Sequence, residues 1–140
     1  MNANDNCIFC NFDKKYVISE NKHAIATYFP RAIKKGHFVV AVKKHIPTFT
    51  ELDIEQARDI IDLALKLAKV AEQILNTEKF YIVSIGDKDH HFHFHLLPKQ
   101  KTDTPMGKHI MLDEGWKGEV GESINDDEVK DFIEKLKNSI

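Results

Sequence analysis

The stretch His91-Phe92-His93-Phe94-His95-Leu96-Leu97 places three histidines at every second position, with bulky apolar residues between them. In a β-strand, successive side chains point to opposite faces. His91, His93 and His95 then line one face, about 6–7 Å apart, while Phe92, Phe94 and Leu96 anchor the other in the core. The pattern sets three imidazoles, each able to take or give a proton near neutral pH, on one rigid element. A plain solvent-facing stripe would more naturally use Thr, Lys or Glu. The stretch predicts a strand and a functional site together.

Upstream, residues 79–85 read as a partner strand, joined to 91–97 by the Gly-containing loop Gly86-Asp87-Lys88-Asp89-His90 in a hairpin. Pro98 is expected to end the second strand. Residues 37–43, His-Phe-Val-Val-Ala-Val-Lys, form the clearest early strand, and 15–19 and 23–28 make two short ones around a turn at Glu20-Asn21-Lys22. Pro30 and Gly36 bracket a loop. Thr50 or Asp53 caps a long helix reaching about Asn76. Ile54, Ala57, Ile61, Ala64, Ala68, Ala71 and Leu75 recur along it at helical spacing, widened by Ile60, Leu67 and Ile74. A short amphipathic helix over about 126–138 follows, with Asn125 and Glu128 as its capping pair and Val129, Phe132, Ile133 and Leu136 as its apolar face. Residues 99–124 read as mostly irregular, with Trp116 packing as a cap over the core. Strands, one long helix and then a hairpin define an α+β class with a mainly antiparallel sheet.

At 140 residues and 16.1 kDa the chain is read as one domain, 1–140, with its core at about 7–98 and a C-terminal extension over 99–140. Its net charge of -2 comes from 20 basic and 22 acidic residues, a balance that argues against nucleic acid as a partner. The local run Arg31, Lys34, Lys35, Lys43 and Lys44 reads first as a solvated face, with attraction of a phosphate as its other use. No apolar run nears the ~20 residues of a membrane span, and the polar start lacks the apolar segment of a signal peptide. Two cysteines make no disulfide framework. A cytoplasmic location is expected.

Three alternating histidines have two chemical readings. They can be ligands of a metal-dependent hydrolase, which usually adds a carboxylate; Asp87 and Asp89 are near but lie in the turn. Alternatively, one neutral imidazole attacks phosphorus while its neighbours meet the phosphate charge and the leaving group.

Residues 91–97 match His-φ-His-φ-His-φ-φ, with φ apolar, at every position, and in this the chain resembles the histidine-triad (HIT) family. The block Gly36-His37-Phe38-Val39-Val40-Ala41-Val42-Lys43-Lys44-His45-Ile46 is similar to the family's strand from Gly-His to Pro-Lys-x-His, without its proline. Cys7-Ile8-Phe9-Cys10 resembles the opening of many bacterial and archaeal members, and Pro98-Lys99 the family's Pro-Arg or Pro-Lys. The resemblance spans roughly residues 7 to 98. It implies a HIT-like fold, a homodimer with a sheet continuous across the pair, and a nucleotide substrate cleaved at the α-phosphate. By position His93 would be the nucleophile, His95 would contact phosphate and leaving group, and His91 would support the nucleophile. His37 matches a histidine some members place beside the triad; as a plain strand-end residue it needs no such role.

Cys7 and Cys10 carry three readings. A thioredoxin-like redox pair lacks the preceding strand and the βαβ unit. Two unpaired core thiols would pack well. A structural zinc needs two more ligands, and the resemblance implies His45 and His91 for them. Of the remaining histidines, His90 belongs to the loop, and His23 and His109 to the surface.

Some positions depart from the family pattern. Phe29 stands near an acidic residue that holds ribose in many members, and suits packing against a base instead. Ser84 stands where many have Asn. The loop before the triad is cut to Gly86–His90, leaving Lys88 or His90 as substitutes for lost phosphate donors. The expected function is cleavage of dinucleoside polyphosphates or nucleoside phosphoramidates through a nucleotidyl-histidine, with structural zinc and no organic cofactor. Two alternatives stay open: a metal-dependent hydrolase with the triad as ligands, and a nucleotide-binding regulatory dimer without turnover.

Overall fold

The computed structural model describes residues 5–103 and 125–140. The described residues form a five-stranded antiparallel sheet of β1 (Val17–Glu20), β2 (Ala24–Tyr28), β3 (Phe38–Val42), β4 (Lys79–Val83) and β5 (His93–Lys99), in the order β1-β2-β3-β5-β4. Helix α1 (Ile54–Leu75) connects β3 to β4, and α2 (Asp126–Asn138) packs on β1 and α1. The expected α+β class with one long and one short C-terminal helix is the fold observed.

The side-chain alternation of β3 and β5 divides the molecule into two layers. Phe38, Val40 and Val42 of β3, with Phe92 and Leu96, join Ile60, Leu63, Leu67 and Ala71 of α1 and Val129, Phe132 and Leu136 of α2 in the main core. Val39 and Ala41 face the other way, packed with Cys7, Phe9 and Phe29. The register pairs Val39 with His95 and Ala41 with His93, so both triad histidines of β5 lie on that second face.

Helix α1 starts at Asp53, not Thr50. The Asp53 carboxylate accepts from Gln56 N–H and the Gln56 side chain accepts from Asp53 N–H, a reciprocal capping box. Thr50 falls within a short 3-10 turn, Phe49–Glu51. The helix stops at Asn76, whose left-handed φ of 53° Asn tolerates better than most residues. The buried stripe is Ile60, Leu63, Ala64, Leu67 and Ala71; it keeps four residues of the expected face and adds Leu63, while Ile54 and Ile61 are more than half exposed.

Gly36 marks where α1 meets the site. Its φ is +93°, and a Cβ there would stand 2.4 Å from Leu75 Cδ1 at the helix end. Its N–H donates to the Tyr28 hydroxyl at 3.0 Å. Gly36→Ala therefore meets both a disfavoured backbone and a packed side chain. It is expected to cost about 1–3 kcal/mol, read as a lower urea midpoint with an unchanged m-value.

The strand ends differ from expectation by one residue in β2 and β3 and further in β1, β4 and β5. β1 begins at Val17, because Lys14–Tyr16 is a 3-10 turn capped by the Asp13 carboxylate. β4 stops at Val83, leaving Ser84 outside it and exposed. β5 runs from His93 through Pro98 to Lys99, which pair with Phe80 and Lys79. Pro98 does not end the strand: the β3 ladder stops at Leu96, so β5 is already an edge on that side. Residues 104–124, with His109 and Trp116, lie outside the described residues.

Candidate active site and metal cluster

His93 and His95 come from β5, while His91 precedes it in a turn. His91 N–H donates to the Asp89 carbonyl at 2.8 Å, and Phe92 N–H to the Ile46 carbonyl at 2.7 Å. His37 stands just before β3, at the end of the loop that begins at Phe29. All four histidines are buried.

Their hydrogen bonds form one chain. Ile33 N–H donates to His37 Nδ1 at 3.2 Å, which leaves the proton of a neutral His37 on Nε2. Nε2 then donates to His95 Nδ1 at 2.9 Å, so the His95 proton lies on Nε2, 3.0 Å from His93 Nε2. At the far end His93 Nδ1–H donates to the His91 carbonyl at 2.6 Å. Worked from either end, the tautomers agree. His93 Nε2 holds a lone pair, the form a nucleophile needs.

Burial enforces the neutral state. It pushes His37 down to about 3, with the nearby His93 adding to the effect. It pushes His95 down to about 2, aided by His37, His93 and Arg31. Burial also lowers His93, partly offset by the His91 carbonyl and the Asp89 charge. Consider the sign for His37 and His95. Below about pH 6.5 the unfolded chain binds protons that the folded chain refuses. Stability is therefore full above that pH and falls as pH drops toward the folded values, by about 1.4 kcal/mol per pH unit for each histidine. Urea midpoints at pH 7, 6 and 5 are expected to decline, and His37→Gln to make the decline shallower. A flat profile would contradict a buried neutral network.

Aromatic rings frame the imidazoles. Phe9 stacks on His93 with centroids 4.0 Å apart and planes 23° apart. Phe29, buried as well, sets its ring edge-on to His95 at 4.9 Å and tilted to His37 at 4.8 Å. The Phe9 contact was not foreseen, although Phe9 lies inside the Cys7–Cys10 motif that drew attention. Lys88 and His90 are exposed in the loop before β5. His23 is not a simple surface residue: it is half-buried, and its Nδ1 lies 2.7 Å from the Asp59 carboxylate on α1.

His91 faces a second cluster. Its Nε2–H donates to the Val42 carbonyl at 2.5 Å, turning a bare Nδ1 toward Cys7, Cys10 and His45. Burial lowers its pKa, partly offset by that carbonyl, with His45 and His93 lowering it further. His91 Nδ1 lies 3.4 Å from each sulfur and 3.2 Å from His45 Nδ1, which is 3.2 Å from Cys10 Sγ. All four ligand atoms fall within 4.8 Å of one another. A tetrahedral zinc with ordinary bond lengths sets its ligand atoms about 3.3–3.8 Å apart. The donor set and spacing are compatible with that ion.

A fold of this topology, with two triad histidines on β5 and the third just before it, defines a class. The HIT domain model matches residues 12–102, and the chain belongs to the histidine-triad family. It is 33% identical over 109 residues to an uncharacterised 16.1 kDa HIT-like protein of Mycoplasma pneumoniae, covering 71% of this chain and 76% of that one. Among solved structures, a zinc-bound histidine-triad family protein of Mycobacterium smegmatis superposes with a TM-score of 0.71 at 17% identity, over 96% of this chain and 92% of that one. The diadenosine triphosphate hydrolase of Plasmodium falciparum, solved with cyclomarin A, gives 0.69 at 19% identity, over 91% and 77%. At these identities the two structures speak for the fold.

Proposed function

We propose that this chain is a nucleotide hydrolase or transferase that cleaves at the α-phosphate of dinucleoside polyphosphates or nucleoside phosphoramidates through a nucleotidyl-His93 intermediate. The observation that carries the reading is the tautomer chain ending in the lone pair on His93 Nε2. That lone pair forms a bond to the α-phosphorus as the bond to the leaving group breaks. The electron pair of the broken bond departs with the leaving group. His95 Nε2–H, released from His93, turns to the phosphate, and the positive charge that develops on the substituted His93 ring is stabilised through Nδ1–H and the His91 carbonyl. Water then attacks phosphorus, the N–P bond returns its pair to His93, and the water proton leaves with the nucleotide or to solvent. Holding the groups in place supplies much of the rate.

Zinc held by Cys7, Cys10, His45 and His91 would be structural. It would fix the His91 ring, and with it the carbonyl that orients His93. The reading of the whole triad as metal ligands fits less well, since His91 turns away from His93 and His95 toward the cysteines. Edge strand β4, with Ile82 exposed, suits sheet pairing with a second copy, in keeping with a homodimer. No helix among the described residues is long and apolar enough to cross a membrane.

The test is acid-free rapid quenching during turnover, followed by intact-mass analysis. A nucleotidyl adduct on the wild-type chain that maps to His93 is expected. Nucleotide binding with no adduct and no AMP release would point to a regulatory dimer instead.

A further inference from the structure

The site histidines are hydrogen-bonded to one another and to backbone groups, while the proposed substrate carries several negative charges. Two charged side chains meet at the rim. Arg31, from the loop that leads to His37, sets a guanidinium nitrogen 3.5 Å from a carboxylate oxygen of Asp89, from the loop that leads to His91. The Arg31 guanidinium also lies over Phe29, 5.4 Å from its centroid, and Phe29 touches His95 edge-on. The Asp89 backbone is pinned by its bond from His91 N–H, whereas the Arg31 side chain is 54% exposed and has room to move.

We propose that Arg31 binds the phosphate next to the scissile one, exchanging Asp89 for it, and that the site thereby favours phosphoric anhydrides over phosphoramidates. The inference rests on the nucleotide-cleaving reading above and narrows its substrate class. A guanidinium binds phosphate through paired charged hydrogen bonds, a geometry that a single carboxylate oxygen 3.5 Å away does not match. An anhydride departs with its electron pair on a phosphate oxygen, where Arg31 would meet the charge. A phosphoramidate offers no second phosphate at that place.

Binding tests this without needing turnover. The affinities of α,β-methylene-ADP and AMP would be measured by calorimetry for wild type, Arg31→Ala, Arg31→Lys and Asp89→Asn. Wild type is expected to prefer the diphosphate analogue. Arg31→Ala should lose about tenfold or more of that preference, Arg31→Lys should recover part of it, and Asp89→Asn should increase it. A merely structural ion pair would make Arg31→Ala and Asp89→Asn act in the same direction. If wild type binds both ligands and the ratio stays fixed in all variants, the assignment to Arg31 is wrong while the function reading survives. If wild type binds neither, both fall together.

Discussion

His93→Ala is expected to lower kcat/KM for AMP release from a diadenosine polyphosphate by at least about 10⁴-fold, the usual scale for deleting a covalent nucleophile. The loss should lie in kcat, because the substitution removes the attacking nitrogen and leaves the His37–His95 pair in place. His95→Ala should cost less, since it removes a donor and leaves the attacking nitrogen in place. The two losses should not add, because both residues belong to one hydrogen-bonded chain. Folding must be checked alongside. Truncation removes the ring against Phe9 and leaves the His95 Nε2–H without its acceptor. His93→Gln, closer in size, serves as the second variant, and both should keep the wild-type circular dichroism. Equal turnover by wild type and a folded His93→Ala chain would exclude the covalent mechanism.

The period-two pattern of residues 91–97 puts His91, His93 and His95 on one face and Phe92, Phe94 and Leu96 on the other; the strand holds this for His93 and His95, while His91 falls before it. That part was legible because alternation is a property of the strand alone. The buried face of α1 was harder to read. Apolar residues surround much of that helix, so Ile54 and Ile61 compete with Leu63, and only contact with the sheet chooses between them. Pro98 was misread for a related reason. A proline ends a strand only where its missing N–H had a partner, and that depends on where β3 stops. The role of His91 was visible only through resemblance. Its separation from the other two triad rings is set by the Val42 carbonyl, a backbone atom that no side-chain pattern reveals. Phe9 and the Arg31–Asp89 pair each join segments far apart in sequence, and composition gives no signal of such contacts.

Purified chain is expected to carry about one zinc per protomer by elemental analysis, and the Cys7→Ser, Cys10→Ser double variant to carry none. The geometry gives the reason. Two thiols and two imidazole nitrogens converge within 4.8 Å of one another, and His91 Nδ1 and His45 Nδ1 face each other at 3.2 Å. A zinc ion held there would turn this crowding of donors into bonds and would tie residues 7–10 to the β3 end and to the turn before β5. Its removal by a strong chelator should lower the melting temperature on the order of 10 °C, as expected if several kcal/mol of folding energy is lost. Activity should fall with it, though less than in His93→Ala. The His91 carbonyl would lose part of its anchorage, and Phe9 would no longer be held flat against His93. An NMR readout separates this effect from simple unfolding. The His93 ring signals should shift on chelation at temperatures where the fold persists, and return when zinc is restored. A metal-free preparation with an unshifted melting temperature and unmoved His93 signals would mean that Cys7 and Cys10 serve only as packed core thiols.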